Sequence, residues 1–330
     1  MSKLLWPIYF VESSDSSDLE TSTFTHFDLG SRPAELSPES KSSSSDSCYT
    51  LKAYIPDRRV TVPFKTFLKK LISASEDGNS QVFRAELRVV ANGGLTAQKR
   101  TVVCKVAYGE RQIQVLRKES DLYHTKLLSL QGTVVPLMYG CYIDDTDDGR
   151  MGVLILQYCG VPLTYELKYY ALTVRYQAVN ALLAIHKAGV EHNDFAERNI
   201  VISKDKKGCP YVMVVDFGMA SDHTCELQLD TIAPYGLAPT NREFLCDELY
   251  EVCRIADVWL PRYAQLFGNL IPVEHATSVD SILQHAYIPE LFKGSRAREC
   301  AQKAIEDVAE QRERRMAMDA SPVPIEFDVD

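Results

Sequence analysis

His192-Asn-Asp-Phe-Ala-Glu-Arg-Asn199 follows the helix-stopping Gly189 and runs directly into the apolar stretch Ile200 to Ser203. Asp194 and Asn199 stand five positions apart on a loop, so both side chains can face one centre. A carboxylate there can accept or orient a hydroxyl proton, and an asparagine carbonyl is a hard oxygen ligand suited to Mg²⁺. Downstream, the turn Lys204 to Gly208 leads into a second short strand, Tyr211 to Val215, which ends in Asp216-Phe217-Gly218. A carboxylate at a strand end can hold a metal that bridges phosphates, and Gly218 supplies backbone freedom beside it. Upstream, Tyr170 to Ala188 carries an apolar stripe at helical spacing, Ala171, Val174, Ala178, Ala181, Leu182 and Ile185, with Gly189 as its stop.

The half of the chain before this helix reads as strands. Gln81 to Val90 alternates Phe83, Ala85, Leu87 and Val89 against Arg84, Glu86 and Arg88. The turn-forming Ser75 to Ser80 precedes it and Asn92-Gly-Gly94 follows it. Thr101 to Ala107 is a further strand with one charge, Lys105, among valines. Gln112 to Leu130 has helical spacing and contains Glu119, which can pair with a strand lysine fourteen residues earlier. Val134 to Tyr142 and Gly152 to Gln157 read as two more strands, joined by a loop holding Asp144, Asp145, Asp147 and Asp148. Beyond residue 240 the pattern is helical, closing with a charged helix from Ser295 to Met318.

Taken in order, VVCKVA with Lys105, RKESDLYHTKL with Glu119, HNDFAERN at 192–199 and VVDFG at 214–218 resemble the protein-kinase-like superfamily over about residues 65–318. The helix, VVPLMYG at 134–140, GVEHND and DHTC most resemble the protein-kinase-like domain proteins of filamentous fungi. The resemblance implies an α+β, two-lobed fold: a small antiparallel β-rich lobe with one helix, and a larger, mainly helical lobe. It implies ATP and Mg²⁺ as cofactors and transfer of the γ-phosphate to a protein hydroxyl. Lys105 would contact the α- and β-phosphates, held by Glu119, and Asp194 would be the catalytic carboxylate. Asn199 and Asp216 would ligate Mg²⁺, and Arg198 would be available to the transferred phosphate. Gln157 to Cys159 would be the hinge whose backbone binds adenine, with Leu156 guarding the pocket behind it.

Departures from the pattern bear on the acceptor and on nucleotide affinity. The three usual glycine positions of the phosphate-covering loop hold Ser75, Asp77 and Ser80, with only Gly78 nearby, and Asp77 would repel phosphates. Asn193 stands where an activation-loop-sensing arginine is common, so control by loop phosphorylation is not expected. HND also resembles small-molecule kinases of the choline and aminoglycoside type. Two alternatives follow: a kinase of small hydroxylated molecules, and a nucleotide-binding pseudokinase or scaffold. Asp257-Val-Trp259 resembles the start of a kinase helix, which Leu260-Pro261 then interrupts.

Composition bounds these readings. The chain has 330 residues, 45% hydrophobic and 25% charged, and a net charge of −9. That balance argues against a phosphate-neutralising nucleic-acid surface. No apolar run approaches the roughly 20 residues that span a bilayer, and Leu4 to Val11 is too short and proline-broken for a signal peptide. Nine scattered cysteines without a CxxC pair point to reduced thiols in the cytosol or nucleus. His223 and Cys225, with Cys246 and Cys253 downstream, fit no common zinc spacing and read as buried small residues. Residues 1–50 hold eight acids, three bases and fourteen serines, a composition expected to stay largely disordered. The expected organisation is a leader at 1–60, one kinase-like domain at 61–318 with lobes of about 61–158 and 159–318, and a tail at 319–330.

Overall fold

The computed structural model describes residues 21–26, 47–56, 64–91, 94–147, 149–205, 207–325 and 327. Leu4 to Val11 and the serine run Ser42 to Ser45 lie outside the described residues. The chain is mixed α+β and divides into two compact units, residues 1–128 with 137–158, and residues 129–136 with 159–330.

The first unit contains β1 (Thr21–His26), β2 (Ser47–Pro56), β3 (Phe64–Ala74), β4 (Ser80–Ala91), β5 (Gly94–Tyr108), α1 (Gly109–His124), β6 (Met138–Thr146) and β7 (Gly149–Gln157). Its strands close into a barrel in the order β1-β2-β6-β7-β5-β4-β3. Neighbours are antiparallel except β1 and β3, which run parallel with Thr23 opposite Lys65. The alternation in β4 is realised: Phe83, Ala85 and Leu87 are buried, and they join Leu51, Phe64, Val102, Cys104 and Ile155 in one core. Such inward alternation on every strand is what lets a small barrel fill itself with side chains.

Three expectations change here. Two segments of the expected leader, Thr21–His26 and Ser47–Pro56, are barrel strands. Averaging composition over the serine-rich run concealed the β-prone TSTFTH and the alternating Tyr49, Leu51, Ala53 and Ile55 within it. The helix expected to reach Leu130 ends at His124, and Leu128–Leu130 forms a separate short turn of 3₁₀ helix. Asp144 and Asp145 belong to β6 rather than to a loop, opposite Met151 and Arg150.

The second unit contains β8 (Val161–Pro162), α2 (Leu172–Lys187), β9 (Val190–Glu191), β10 (Ile200–Lys204), β11 (Pro210–Val214), β12 (Ser221–Asp222), α3 (Asn241–Phe244), α4 (Asp247–Ile255), β13 (Tyr263–Leu266), β14 (Asn269–Pro272), α5 (Val279–Gln284) and α6 (Ser295–Ala320). The predicted stripe of α2 packs inward, with Val174, Ala178, Leu182 and Ile185 fully buried. Gly189 at φ +84° closes the helix by donating its N–H to the His186 carbonyl at 2.9 Å. The expectation of a mainly helical second half fails, since helix makes up 35% of it. After α4 the chain makes a β-hairpin, β13–β14, instead of continuing as helix. Its two linking residues, Phe267 and Gly268, both have positive φ, the requirement of a two-residue hairpin turn. No helix starts at Asp257, which has φ +56° beyond the end of α4. Trp259 instead packs edge-on against Phe244 and at a tilt against Tyr250.

The expected tail is also tied down. Asp319, in the last turn of α6, accepts from the buried Arg175 guanidinium. Val323 donates its N–H to Tyr169, and Val323, Ile325 and Phe327 pack on the core around α2. No helix among the described residues is long and apolar enough to cross a membrane.

Candidate active site

In the first unit β5 carries Lys105, in register with Val82 of β4 and Leu154 of β7. The outward orientation that alternation permits is not taken. The Lys105 amine lies 2.7 Å from both carboxylate oxygens of Glu119 on α1, with side chains 14% and 2% exposed. Burial makes this pair sensitive to loss of either partner, because a lone charge would remain in a poorly solvated place.

The candidate adenine edge is partly engaged. Leu156 is buried in β7. Gln157 ends that strand, donating its N–H to the Leu137 carbonyl at 2.8 Å while its side-chain Oε1 accepts the Leu137 N–H at 3.2 Å. The N–H of Gln157 is thus committed within the unit. Cys159 falls in the second unit, buried beside Val201 and Met213, and burial pushes its thiol up to about 12.

Gly78 sits in the β3–β4 turn at φ +70°, its N–H bonded to the Ser75 carbonyl at 3.0 Å. A side chain here would be strained by the backbone, although the space around it is open. The Asp77 carboxylate organises the same turn. It accepts from the Ser75 hydroxyl at 2.6 Å, the Asn79 N–H at 3.0 Å and the Asn79 amide at 2.9 Å. These bonds, led by that from Ser75, lower its pKa to about 2. The residue expected to hinder phosphates therefore has a structural task in the turn.

In the second unit the 192–199 loop gathers Asp194, Arg198 and Asn199. The Asn199 amide donates to the Asp194 backbone carbonyl at 2.9 Å and to its carboxylate at 3.0 Å. Because its nitrogen donates, the carbonyl oxygen of Asn199 is the atom suited to a cation. Arg198 forms an ion pair with the Asp194 carboxylate, so its charge is directed at that acid. Asp216 follows β11, and the two loops are joined through their backbones: Val215 donates to the Asn199 carbonyl at 2.9 Å.

His192 strengthens that join. It is fully buried, with Nε2 at 3.1 Å from the Val215 carbonyl and Nδ1 accepting the Asp194 N–H at 3.3 Å. Burial lowers its pKa, which keeps the ring neutral, with Nε2 as donor and Nδ1 as acceptor. Phe217 is buried against the same ring at 5.0 Å. Asn193 and Asp216 both adopt left-handed backbone, φ 61° and 69°, a sparsely populated state for residues other than glycine. Each sits directly beside, or at, a residue expected to do chemistry.

Sequence reasoning missed Glu248, near the start of α4. Its carboxylate accepts the N–H of His192 at 3.0 Å and of Asn193 at 2.7 Å, and meets His186 Nε2 at 2.5 Å. Burial raises its pKa, but these donors outweigh burial and leave it lowered. Nothing local marks Glu248 in the sequence, since its partners on the loop are 55 and 56 residues earlier. Chemically, the second unit offers a carboxylate aligned by an amide and a guanidinium, on a backbone fixed from both sides. No protein-family model matches the chain, and no curated protein matches it in sequence.

Proposed function

We propose that the chain is an ATP-dependent phosphotransferase with a kinase-like two-lobed fold, acting on a protein hydroxyl. The observation that carries the reading is the support of Asp194: Asn199 bonds both its carbonyl and its carboxylate, while His192 ties its N–H to the Asp216 segment. That arrangement favours orienting an acceptor hydroxyl and receiving its proton. Asn199 and Asp216 supply hard oxygens that fit Mg²⁺, which would neutralise phosphate charge. Lys105, aligned by Glu119, supplies a cation for the α- and β-phosphates. Phosphoryl transfer needs positioning and charge neutralisation above all, and these side chains are of the types that provide both.

A second reading is a kinase of small hydroxylated molecules. It is favoured by the β13–β14 hairpin, which occupies chain that a helical peptide-binding region would otherwise use. The test is Mg²⁺/ATP phosphotransfer by the parent chain and by Asp194→Asn, against a peptide library and a panel of hydroxylated metabolites. Incorporation should fall by about two to four orders of magnitude in the variant. Equal incorporation by both proteins would remove Asp194 from the reaction, and the preferred acceptor panel separates the two readings.

A further inference from the structure

The spacing of His223 and Cys225 on its own fits no common metal pattern, and what the spacing lacked comes from two other places in the chain. His186, in the last turn of α2, and Cys246, immediately before α4, converge on this pair. One ligand atom from each of His186, His223, Cys225 and Cys246 lies within 4.8 Å of the other three. Cys253, which the sequence places nearby, is not a member. The His186 and His223 rings are 4.6 Å apart between centroids, and the Cys246 sulfur lies 3.4 Å from His186 Nδ1. Metal bonds of about 2.0–2.3 Å in a tetrahedron place ligand atoms about 3.3–3.8 Å apart, so that contact already fits and the widest needs about 1 Å of closure.

Two independent features point to a cation. The Nε2 of His223 is buried without a hydrogen-bond partner, an arrangement native interiors avoid unless something else occupies the lone pair or proton. His186 presents its other nitrogen, Nε2, to Glu248 at 2.5 Å. A ring that donates from Nε2 to a carboxylate keeps its Nδ1 lone pair as an acceptor, and that atom meets the Cys246 sulfur. Carboxylate, imidazole and metal in line is the usual way a protein orients a histidine ligand.

We propose that His186, His223, Cys225 and Cys246 form a closed zinc site in the second unit. Two thiolates and two imidazoles are the donor set that suits tetrahedral Zn²⁺ over Mg²⁺ or Ca²⁺. The consequence reaches the 192–199 loop. Glu248 shares its carboxylate between His186 and the N–H groups of His192 and Asn193, so the metal anchors the carboxylate that holds this loop. The site stands whether or not the chain transfers phosphate.

The test is the zinc content of the full chain, purified in reduced form from zinc-supplemented cells, for the parent, Cys225→Ser and the control Cys209→Ser. Cys209 is an exposed thiol outside the cluster, and Cys225 is only half-buried, which keeps the risk of misfolding low. One zinc per chain is expected in the parent and the control, and less than a tenth of that in Cys225→Ser. Cobalt added to metal-stripped parent should give thiolate-to-cobalt charge-transfer absorption and tetrahedral d–d bands, both absent from Cys225→Ser. The proposal is overturned by a parent chain that takes up neither zinc nor cobalt, by zinc that stays in Cys225→Ser, or by a Cys225–Cys246 disulfide as the resting state.

Discussion

Both carboxylate oxygens of Glu119 lie 2.7 Å from the amine of Lys105, and the acid is almost wholly excluded from solvent. Lys105→Met therefore strands a buried carboxylate and should cost about 3–5 kcal/mol. Adding Glu119→Leu removes the stranded charge and should recover most of that stability without restoring the phosphotransfer proposed above. Denaturant midpoints of the single and double variants measure this. A single variant as stable as the parent would mean the pair is open to water.

Glu248 satisfies two backbone N–H groups and one imidazole nitrogen with a single carboxylate that is only 13% exposed. Glu248→Ala leaves these donors without an acceptor, at about 1–3 kcal/mol for each one buried. A loss of about 3 kcal/mol or more is expected, with a smaller loss in Glu248→Gln, which retains one oxygen. Amide hydrogen exchange at His192 and Asn193 should accelerate in Glu248→Ala. Unchanged exchange there would show that other groups hold the loop.

Arg175 is 1% exposed and donates to the carbonyls of Tyr170, Ala256 and Asp257 as well as to Asp319. Ending the chain at Met318 removes the anionic partner together with Val323, Ile325 and Phe327 from the core. A loss of about 3 kcal/mol or more is expected from the stranded guanidinium alone. By calorimetry that is a fall in melting temperature of about 6 °C or more for a unit of this size. A truncated chain that melts like the parent would mean that residues 319–330 add nothing to the stability of the second unit.

Asp77 should titrate near pH 2, held down first by the Ser75 hydroxyl and then by the two donors of Asn79. Its folded pKa is depressed, so its contribution to the β3–β4 turn is present above the ordinary carboxylate value of 3.8 and is lost as pH falls through about 2. A carboxyl ¹³C titration followed by NMR reads this directly. A midpoint close to 3.8 would mean that the three bonds do not persist in solution. On the phosphotransferase reading proposed above, Asp77→Asn should lower KM for ATP, by removing a negative charge from the turn, with kcat little changed.

What could be read in the chain was what repeats locally. The two-residue alternation of β4 and the apolar stripe of α2 each announce a buried face, and both faces are buried. The HND and DFG segments could be placed on loops because a glycine stop and two short strands flank them. Lys105 and Glu119 could be paired from a strand-to-helix separation of fourteen residues, whereas alternation alone would send the lysine outward. Glu248 and His186 carried no such signal. One is an ordinary helix acid and the other an ordinary helix histidine until folding brings them 2.5 Å apart across 62 residues. The β13–β14 hairpin was hidden for a different reason. It depends on left-handed backbone at Phe267, a residue that gives no hint of a turn.

The parallel contact between β1 and β3 has a consequence for how the chain behaves in company. A closed ring of strands offers no free edge, and β1 is the stave that closes it between β2 and β3. A chain trimmed to begin at Ser47 would expose one edge on each of those strands at once. Each edge would be a row of unpaired amides and carbonyls ready to accept a strand from another molecule. Such a trimmed chain should betray itself less by a lower melting point than by self-association that rises with concentration. β1 would then serve the protein partly by covering both of those edges at once.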